Sequence, residues 1–418
     1  MTATARIVAL LFLIQITAGA CMPQSNDDAR MCAENATGTP DLALQYCTAA
    51  INAGKLSPSN LATTFNNRGD AYAVKGDYVR AIKDYDQAIH LMPDYALAYK
   101  NRGIAHGTRG DYDLAIEDFG QALILKPDDA SAFNSRGIAY GTKGDNDRAI
   151  QNFDQAIRLQ PGFADALNNR GSAYDNKGDF EHGIADFNEA IRLNPGYALA
   201  FKNRAMAYYL TEDYDRSIQD CDQAIRLTPA DATLFRRRGS VYWGKKDYSK
   251  ALEDYDRAVR LNPKDADSFR GRGITYFFLG QFDPAARDTA LAAQLDPTDA
   301  YSALWLYLAQ AKLGQDAKAS LARNAAMLKA AQWPIPVVSL YLGSASSQVV
   351  LSSAQDPNPR KDVFQRCEAY FYIGEDALLH GRKDEAKAMF EQAIATGVTS
   401  FYEYNGAIVE LARMKAPL

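Results

Sequence analysis

The chain has 418 residues, of which 47% are hydrophobic and 23% charged, and this composition excludes wholesale disorder because it supplies ample material for a packed core. The formal net charge of −5 argues against a general nucleic-acid binder, which needs a net supply of Lys and Arg on its binding face. We therefore expect no nucleic-acid partner.

The first residues predict a secretory signal. Residues 1–6 carry one positive side chain, residues 7–16 are apolar apart from Gln15, and Ala18 to Ala20 form a small-residue cleavage site. The apolar run is far shorter than the roughly 20 residues that a membrane span needs, and no later segment supplies a longer one. We expect residues 1–20 to be a signal peptide that sends the protein to the periplasm.

The cysteines also bear on where in the cell the protein is located. Cleavage after Ala20 would leave Cys21 at the new N-terminus, which resembles the site where bacterial lipoproteins acquire their lipid anchor. Ala18 stands where that family's lipobox usually has Leu, and the same residues also satisfy the ordinary signal peptidase. Cys32 and Cys47 can close a short loop in an oxidising compartment, which leaves Cys21 spare. We predict a Cys32–Cys47 disulfide and lipidation of Cys21, with the lipid as the only contact with the outer membrane.

A proline recurs at a constant interval through the middle of the chain, since Pro93 and Pro127 are 34 residues apart and the spacing continues. The series is Pro93, Pro127, Pro161, Pro195, Pro229, Pro263 and Pro297. Small residues and aromatic residues recur with the same period, as close helix packing requires. The period and these positions resemble those of the tetratricopeptide-repeat (TPR) superfamily. The resemblance implies an all-α fold, a right-handed TPR α-solenoid of antiparallel helix pairs.

The repeat register also predicts how the chain is divided. Residues 21–61 should form an N-terminal lead-in and a capping helix, and residues 62–299 seven regular TPR repeats. Residues 300–418 should form a degenerate repeat, an irregular segment and a final TPR-like helix pair. The irregular segment is predicted at Trp333, Pro334, Ile335 and Pro336, because the prolines interrupt the helical pattern.

The stretch from about Tyr301 to Met414 resembles the tail of the NlpI-type bacterial TPR lipoprotein, through Trp333 and the segments at 339–343, 370–374 and 401–404. Proteins of that family are outer-membrane-anchored adaptors that present substrates to a periplasmic protease and scaffold cell-wall hydrolases. The resemblance implies a periplasmic adaptor or scaffold that binds extended polypeptides and an envelope protein such as a protease or a cell-wall hydrolase. The longer regular array ahead of the tail leaves the partner open.

No arrangement of residues predicts catalysis. The four histidines lie in different repeats without metal-ligand spacing, and there is no phosphate loop and no nucleophile elbow. Cys221 takes a repeat position that holds Tyr85 or Phe119 elsewhere, which predicts a packed, unreactive thiol. We expect no enzyme activity, no metal and no cofactor.

An Arg precedes the small residue of every first helix, at Arg68, Arg102, Arg136, Arg170, Arg204, Arg238 and Arg272. An acid or amide recurs on every second helix, at Asp84, Asp118, Asn152, Asp186, Asp220, Asp254 and Asp288. Because the two series recur together, we predict a ladder of partly buried ion pairs between helices. The alternative is a phosphate-binding groove lined by Arg, which the matched Asp residues would neutralise.

Function should lie on the concave face, which the first helices supply. An Asn row at Asn67, Asn101, Asn169 and Asn203 precedes the Arg series, and Arg237 continues it. An Asn offers a donor and an acceptor, so a spaced row can grip the main chain of an extended peptide. The row resembles the asparagine ladder in the superhelical TPR arm of a sugar transferase, although this chain has no transferase domain. The alternative is a row of solvated amides.

The later repeats add charge and aromatic surface to the same face. The predicted peptide-binding residues there are Lys202, Arg236, Arg237, Arg270, Tyr209, Trp243 and Phe277. Large aromatic residues on a groove are typical binding hot spots, but these could equally pack under the irregular C-terminal segment. Since aromatic rings also stack on sugars, the alternative function is a cell-wall glycan or saccharide binder.

Overall fold

The computed structural model describes residues 27–328 and 333–415. The predicted signal peptide and Cys21 lie outside these residues. Within them the chain forms α-helices and no strand, which confirms the all-α TPR fold. The chain divides between Ala200 and Phe201 into two compact units, called unit 1 and unit 2 below.

Unit 1 consists of two lead-in helices followed by four antiparallel pairs. Its helices are α1 (Asp27–Asn35), α2 (Pro40–Ala53), α3 (Pro58–Val74), α4 (Tyr78–Leu91), α5 (Ala96–Arg109), α6 (Tyr112–Leu125), α7 (Ala130–Thr142), α8 (Asn146–Leu159), α9 (Ala164–Lys177) and α10 (Phe180–Leu193). The first helix of each pair, from α3 to α9, contacts the first helix of the next pair. We call the surface they share the first-helix face.

Unit 2 repeats the pattern and then departs from it. Its helices are α11 (Ala198–Leu210, which begins before the division), α12 (Tyr214–Leu227), α13 (Ala232–Gly244), α14 (Tyr248–Leu261), α15 (Ala266–Phe278), α16 (Phe282–Leu295), α17 (Ala300–Lys312), α18 (Ala317–Ala325), α19 (Ile335–Leu342), α20 (Ser347–Ser353), α21 (Pro359–Leu379), α22 (Lys383–Ala395) and α23 (Tyr402–Lys415). The short α19 begins at Ile335, within the four residues where an interruption is predicted, and the short α20 follows it.

Local chemistry explains where the helices begin and end. The carboxylate of Asp77 accepts a hydrogen bond from the Arg80 backbone N–H at 3.0 Å and so caps α4. A glycine with positive φ, such as Gly110 at 91°, ends a first helix. The same turn position in the fifth and sixth repeats holds Glu212 and Lys246, with φ of 61° and 65°. The backbone at these two residues adopts a left-handed conformation that normally favours glycine.

Paired helices approach closely enough to require a small residue at the crossing. A Cβ built on Gly137 of α7 would lie 2.6 Å from the Cε1 of Phe153 on α8. The ring is 2% exposed and fills the wedge between the two helices. The repeated small and aromatic residues therefore set the distance between the helices of a pair.

A disulfide joins the two lead-in helices of unit 1. Cys32 on α1 and Cys47 on α2 are bonded, and both are 0% exposed. They form a small cluster with Ala43 and Ala71, and Ala71 belongs to α3. The lead-in is thereby fastened to the first helix pair.

Candidate functional site

The Arg ladder is present in both units. The guanidinium groups of six of the seven Arg residues bind an Asp on the second helix of their own pair through two hydrogen bonds, 2.6 to 2.9 Å long. Arg170 of α9, for example, binds Asp186 of α10 and also donates to Asp154 of α8 at 2.6 Å. The predicted ladder of ion pairs is confirmed, and Arg102, Arg170, Arg238 and Arg272 each join three helices through a second Asp.

Arg136 is the exception in the ladder. Its Nε donates to the neutral amide oxygen of Asn152 at 2.7 Å, and Gly120 stands where a second acid would be. Burial lowers the pKa of Arg136, whereas hydrogen bonding to Asp186 raises the pKa of Arg170. Because Asp side chains neutralise the other guanidinium groups, the ladder is structural and does not form a phosphate groove.

The Asn row of unit 1 forms hydrogen bonds between repeats. Asn101 of α5 donates through Nδ2 to the Oδ1 of Asn66 on α3 at 3.2 Å. Asn169 of α9 makes the equivalent bond to Asn134 of α7 at 3.0 Å. Asn67 and Asn101 are each 2% exposed. Asn67 and Asn101 are therefore buried and not solvated amides, and Asn101 and Asn169 bridge successive first helices.

Asp70 fixes the orientation of one of these amides. Its Oδ1 accepts from Nδ2 of Asn101 at 2.9 Å and from the hydroxyl of Tyr85 at 2.8 Å. Burial raises the pKa of Asp70 to about 7, against the opposing effect of these hydrogen bonds. Sequence reasoning missed Asp70, although it alone among the seven repeats places an acid directly after the small residue.

Two buried atoms of this cluster lack a hydrogen-bond partner in the described part of the chain. They are the donor Nδ2 of Asn67 and the acceptor Oδ1 of Asn101. An unpaired buried polar atom is unusual in a folded protein and calls for a physical reason. We call Asn66, Asn67, Asp70 and Asn101 the amide cluster of unit 1.

Two of the four predicted basic residues on the first helices of unit 2 are neutralised. Arg236 lies 3.1 Å from Asp265, and Arg270 pairs with Asp267 at 2.7 Å and also with Asp299. The structure therefore differs from the predicted open basic groove at these two positions. The reason is that Asp265 and Asp299 stand at the N-cap positions of the following first helices, where they meet the basic side chain of the preceding repeat.

Lys202 and Arg237 differ from their neighbours. Lys202 donates to the hydroxyl of Thr233 at 3.3 Å, and neither it nor Arg237 forms an ion pair among the residues that the structure describes. The Nε of Arg237 is buried without a partner. Burial lowers the pKa of both groups, and a nearby Arg side chain lowers each further. These two side chains leave positive charge uncompensated on the face of unit 2.

The predicted aromatic anchors are core residues. Trp243 is 1% exposed and its ring centroid lies 4.3 Å from that of Tyr402 on α23. Phe277 is 2% exposed and packs on Trp305, and the hydroxyl of Tyr209 donates to the carbonyl of Ser400 at 3.4 Å. The prediction of an open aromatic groove is therefore corrected, because the C-terminal segment covers this side of unit 2.

The remaining predicted residues add little chemistry. Cys221 is a free, buried thiol whose pKa burial raises to about 12. No cluster of potential metal ligands occurs in residues 27–328 and 333–415. Over the same residues, no helix combines the length and apolar character needed to cross a membrane. Asn203 lies on α11 at the position that corresponds to Asn169, and its predicted role stays a prediction.

Models of the family described as tetratricopeptide repeat match the chain in several places. They cover residues 96–129, 134–198, 172–232, 239–327 and 368–396, and a model described as TPR repeat covers residues 69–110. The chain belongs to the tetratricopeptide-repeat superfamily and is a scaffold for protein–protein interaction.

A curated relative that is a lipoprotein matches part of the chain. The chain is 36% identical over 118 residues to the lipoprotein NlpI homolog of Haemophilus influenzae, which is 28% of this chain and 38% of that protein. The match thus spans well under half of the relative.

Solved structures support the fold alone. A tetratricopeptide repeat protein from Parabacteroides merdae has a TM-score of 0.50 at 19% identity, over 60% of this chain and 98% of its own. The pilF protein of Pseudomonas aeruginosa has a TM-score of 0.44 at 19% identity, over 50% of this chain and 94% of its own.

Proposed function

We propose that the protein is an envelope adaptor that holds extended polypeptide against the first-helix face of unit 1. The observation that carries this proposal is the pair of unpaired atoms in the amide cluster. Nδ2 of Asn67 is a free donor and Oδ1 of Asn101 a free acceptor. A peptide main chain supplies the complementary C=O and N–H groups whatever its side chains are.

The energetics favour the same assignment. Leaving a buried polar atom unpaired costs about 1–3 kcal/mol. Both atoms are buried, so a main chain that pairs with Asn67 and Asn101 must displace the side chains that cover them, and the pairing then removes this cost in the complex. Asp70 and Asn66 hold the amide of Asn101, so that its free oxygen is fixed before a ligand arrives. Such preorganisation lowers the entropic cost of binding.

Lys202 and Arg237 supply a subsite of a different kind. Their uncompensated charge suits an acidic side chain or the terminal carboxylate of a bound polypeptide, because a guanidinium group binds a carboxylate through two parallel hydrogen bonds. Arg236 and Arg270 are already paired with Asp residues and would contribute less.

The proposed location in the cell rests on the N-terminal sequence and on the likeness to the NlpI homolog. The signal-like residues 1–20, the Cys32–Cys47 disulfide and the likeness to the NlpI homolog together support a periplasmic protein held to the outer membrane by lipid on Cys21. Its partners would be envelope proteins such as a protease or a cell-wall hydrolase. Intact-mass analysis tests the lipid: an unmodified mature Cys21 would refute it.

The alternative function, glycan binding, needs exposed aromatic rings that can stack on sugars, and the rings are not exposed. Tyr209 and Trp243 were the rings expected to stack on sugar, and both are covered by the C-terminal segment.

The test uses 15-residue peptides selected for binding from a random display library. The selected peptide is titrated against the full chain and two variants. Asn67→Ala should weaken binding about fivefold or more, the equivalent of one hydrogen bond of about 1 kcal/mol. Gln121→Ala is the matched control, because Gln121 is an exposed amide on the second helix α6.

Two results of the same titrations would contradict the proposal. Asn67→Ala removes a buried unpaired donor but also leaves a cavity, because the side chain is 2% exposed, so the fold of the variant is checked by circular dichroism before titration. Equal affinity of a folded Asn67→Ala variant and the wild-type protein would move the binding site away from the amide cluster. A comparable loss in Gln121→Ala would do the same.

A further inference from the structure

The last helix, α23, lies against the first helices of unit 2. The hydroxyl of Tyr402, at its start, lies 3.3 Å from that of Tyr255. Near its end, Nη2 of Arg413 donates to the backbone carbonyls of Phe277 and Phe278 at 3.0 and 2.9 Å. α23 therefore covers the aromatic side of α13 and α15.

A pair of buried glutamates joins α23 to α21. Glu368 of α21 is 8% exposed and accepts hydrogen bonds from the hydroxyl of Tyr301 at 2.8 Å and from the indole of Trp333. Glu403 of α23 is 4% exposed and accepts from the hydroxyl of Tyr372 at 2.9 Å. All three donors are uncharged, so they satisfy the oxygens without neutralising them.

A second glutamate pair, one heptad further along both helices, provides a contrast. Glu375 and Glu410 lie 3.0 and 3.1 Å from the ammonium group of Lys312, and Arg413 also pairs with Glu410. The positive charge of Arg270 lowers the pKa of Glu403, but Arg270 is already paired with two Asp residues. Among the residues that the structure describes, cations pair directly with the second glutamate pair and not with the first.

We propose that Glu368 and Glu403 form a pH-sensitive clasp, which holds α23 on unit 2 while the pair retains a proton and releases it when both carboxyls ionise. Two carboxylates confined together in a site that water does not reach cannot both be charged without a large electrostatic cost. Release of α23 lets both groups ionise in water and so removes that cost.

The titration behaviour supports the direction of the switch. Burial, followed by the charge of Glu403, raises the pKa of Glu368 to about 8, and burial also raises the pKa of Glu403. A released α23 returns both to ordinary values near 4.5. The pair therefore stabilises the closed state at low pH, and this stability is lost as pH rises from about 4.5 through about 8.

Other groups facing the two glutamate pairs belong to five helices. They are Arg270 on α15, Tyr301 and Lys312 on α17, Tyr341 on α19, Tyr372 on α21, and Tyr402 and Arg413 on α23. The tyrosines are neutral throughout this interval because burial raises their pKa values above the usual 10. The glutamates change charge in this interval, and Glu375 of the second pair does so as well, because burial raises its pKa to about 7.

Hydrogen exchange of the full chain, followed by mass spectrometry, tests the clasp. Protection of the α23 amides, corrected for the intrinsic pH dependence of exchange, should fall at least tenfold between pH 6 and pH 8. Glu403→Gln mimics the protonated acid and should make this fall clearly smaller than in the wild-type chain, the remainder coming from Glu375, which still ionises. Glu391→Gln, an exposed carboxyl on the neighbouring α22, is the control and should fall as the wild-type chain does.

Two results would overturn the clasp. One is wild-type protection of α23 that stays constant from pH 6 to pH 8. The other is a fall in the Glu403→Gln variant as steep as that of the wild-type chain. Should Glu403→Gln lose its circular-dichroism spectrum, Glu368→Gln carries the same expectation, since either replacement removes one of the two charges.

Discussion

Removing Arg170 should be far more damaging than removing Arg136, although both occupy the same position of the repeat. Arg170→Ala leaves Asp186, which is 8% exposed, without its two hydrogen bonds, and also releases Asp154, which is 45% exposed. Breaking a buried ion pair from one side costs about 3–5 kcal/mol. Because the side chain of Arg170 is itself 22% exposed, we expect the low end, about 3 kcal/mol.

Arg136→Ala leaves no carboxylate behind. Its partner is the neutral Asn152, and Gly120 replaces the second acid. The loss of one neutral hydrogen-bond partner costs about 1 kcal/mol. The expected difference between the two variants is therefore about 2 kcal/mol, and it isolates the uncompensated charge from the loss of the Arg side chain.

Urea unfolding followed by far-UV circular dichroism measures the difference. Hydrogen exchange of α9 and α10 should accompany it, because a repeat array can open locally. Replacing Arg170 and Asp186 together by Leu should recover much of the lost free energy. Equal costs for Arg170→Ala and Arg136→Ala, or equal costs for the single and the paired replacement, would refute the ladder as a set of coupled charges.

Three further expectations concern single positions. Gly137→Ala should destabilise unit 1 by at least 1 kcal/mol because its Cβ would meet Phe153 at 2.6 Å, whereas Gly141→Ala, with its nearest neighbour at 3.6 Å, should be neutral or stabilising in the same urea assay. Lys246→Gly should raise the free energy of unfolding by about 1 kcal/mol, since it relieves a φ of 65°, and no gain would contradict that strain. The pKa of Asp70, raised to about 7, makes wild-type unit 1 lose stability as pH rises from about 4 through 7. Urea titrations of Asp70→Asn at pH 5 and pH 8 should show no such loss.

The regular repeats could be predicted from the sequence because their determinants are local and periodic. A small residue, an aromatic residue and a proline at fixed spacing specify each helix pair, and the Arg and Asp series follow the same period. Gly120 and Asn152 were visible as departures from it. Their joint effect on Arg136 became clear only when the structure showed that both face the same guanidinium group.

The pairing of Arg236 and Arg270 with Asp residues was not predicted from the sequence. Asp265 and Asp299 each lie 29 residues after a basic residue on the preceding first helix. This second period was present in the sequence and was not used. A systematic search for opposite charges at this spacing would have found Arg236 and Arg270 paired.

The position of α23 could not be predicted in the same way. Trp243 and Tyr402 are far apart in sequence, and no period relates them. Packing on a face that regular TPR repeats leave open depends on tertiary contacts alone. The possibility that Tyr209, Trp243 and Phe277 pack under the C-terminal segment was recognised from their size, but the sequence did not decide between packing and binding.

A double-perturbation cycle tests the peptide-binding claim most directly. A display-selected peptide and versions methylated at single backbone amides are titrated against the wild-type chain, Asn67→Ala and Asn101→Ala. We expect methylation at one position of the peptide to weaken its binding to the wild-type chain. The same methylation should not further weaken binding to Asn101→Ala, because the N–H that it removes is the one that bonds Oδ1 of Asn101. Additive losses at every methylated position, with Asn101→Ala still folded, would contradict main-chain recognition by the amide cluster.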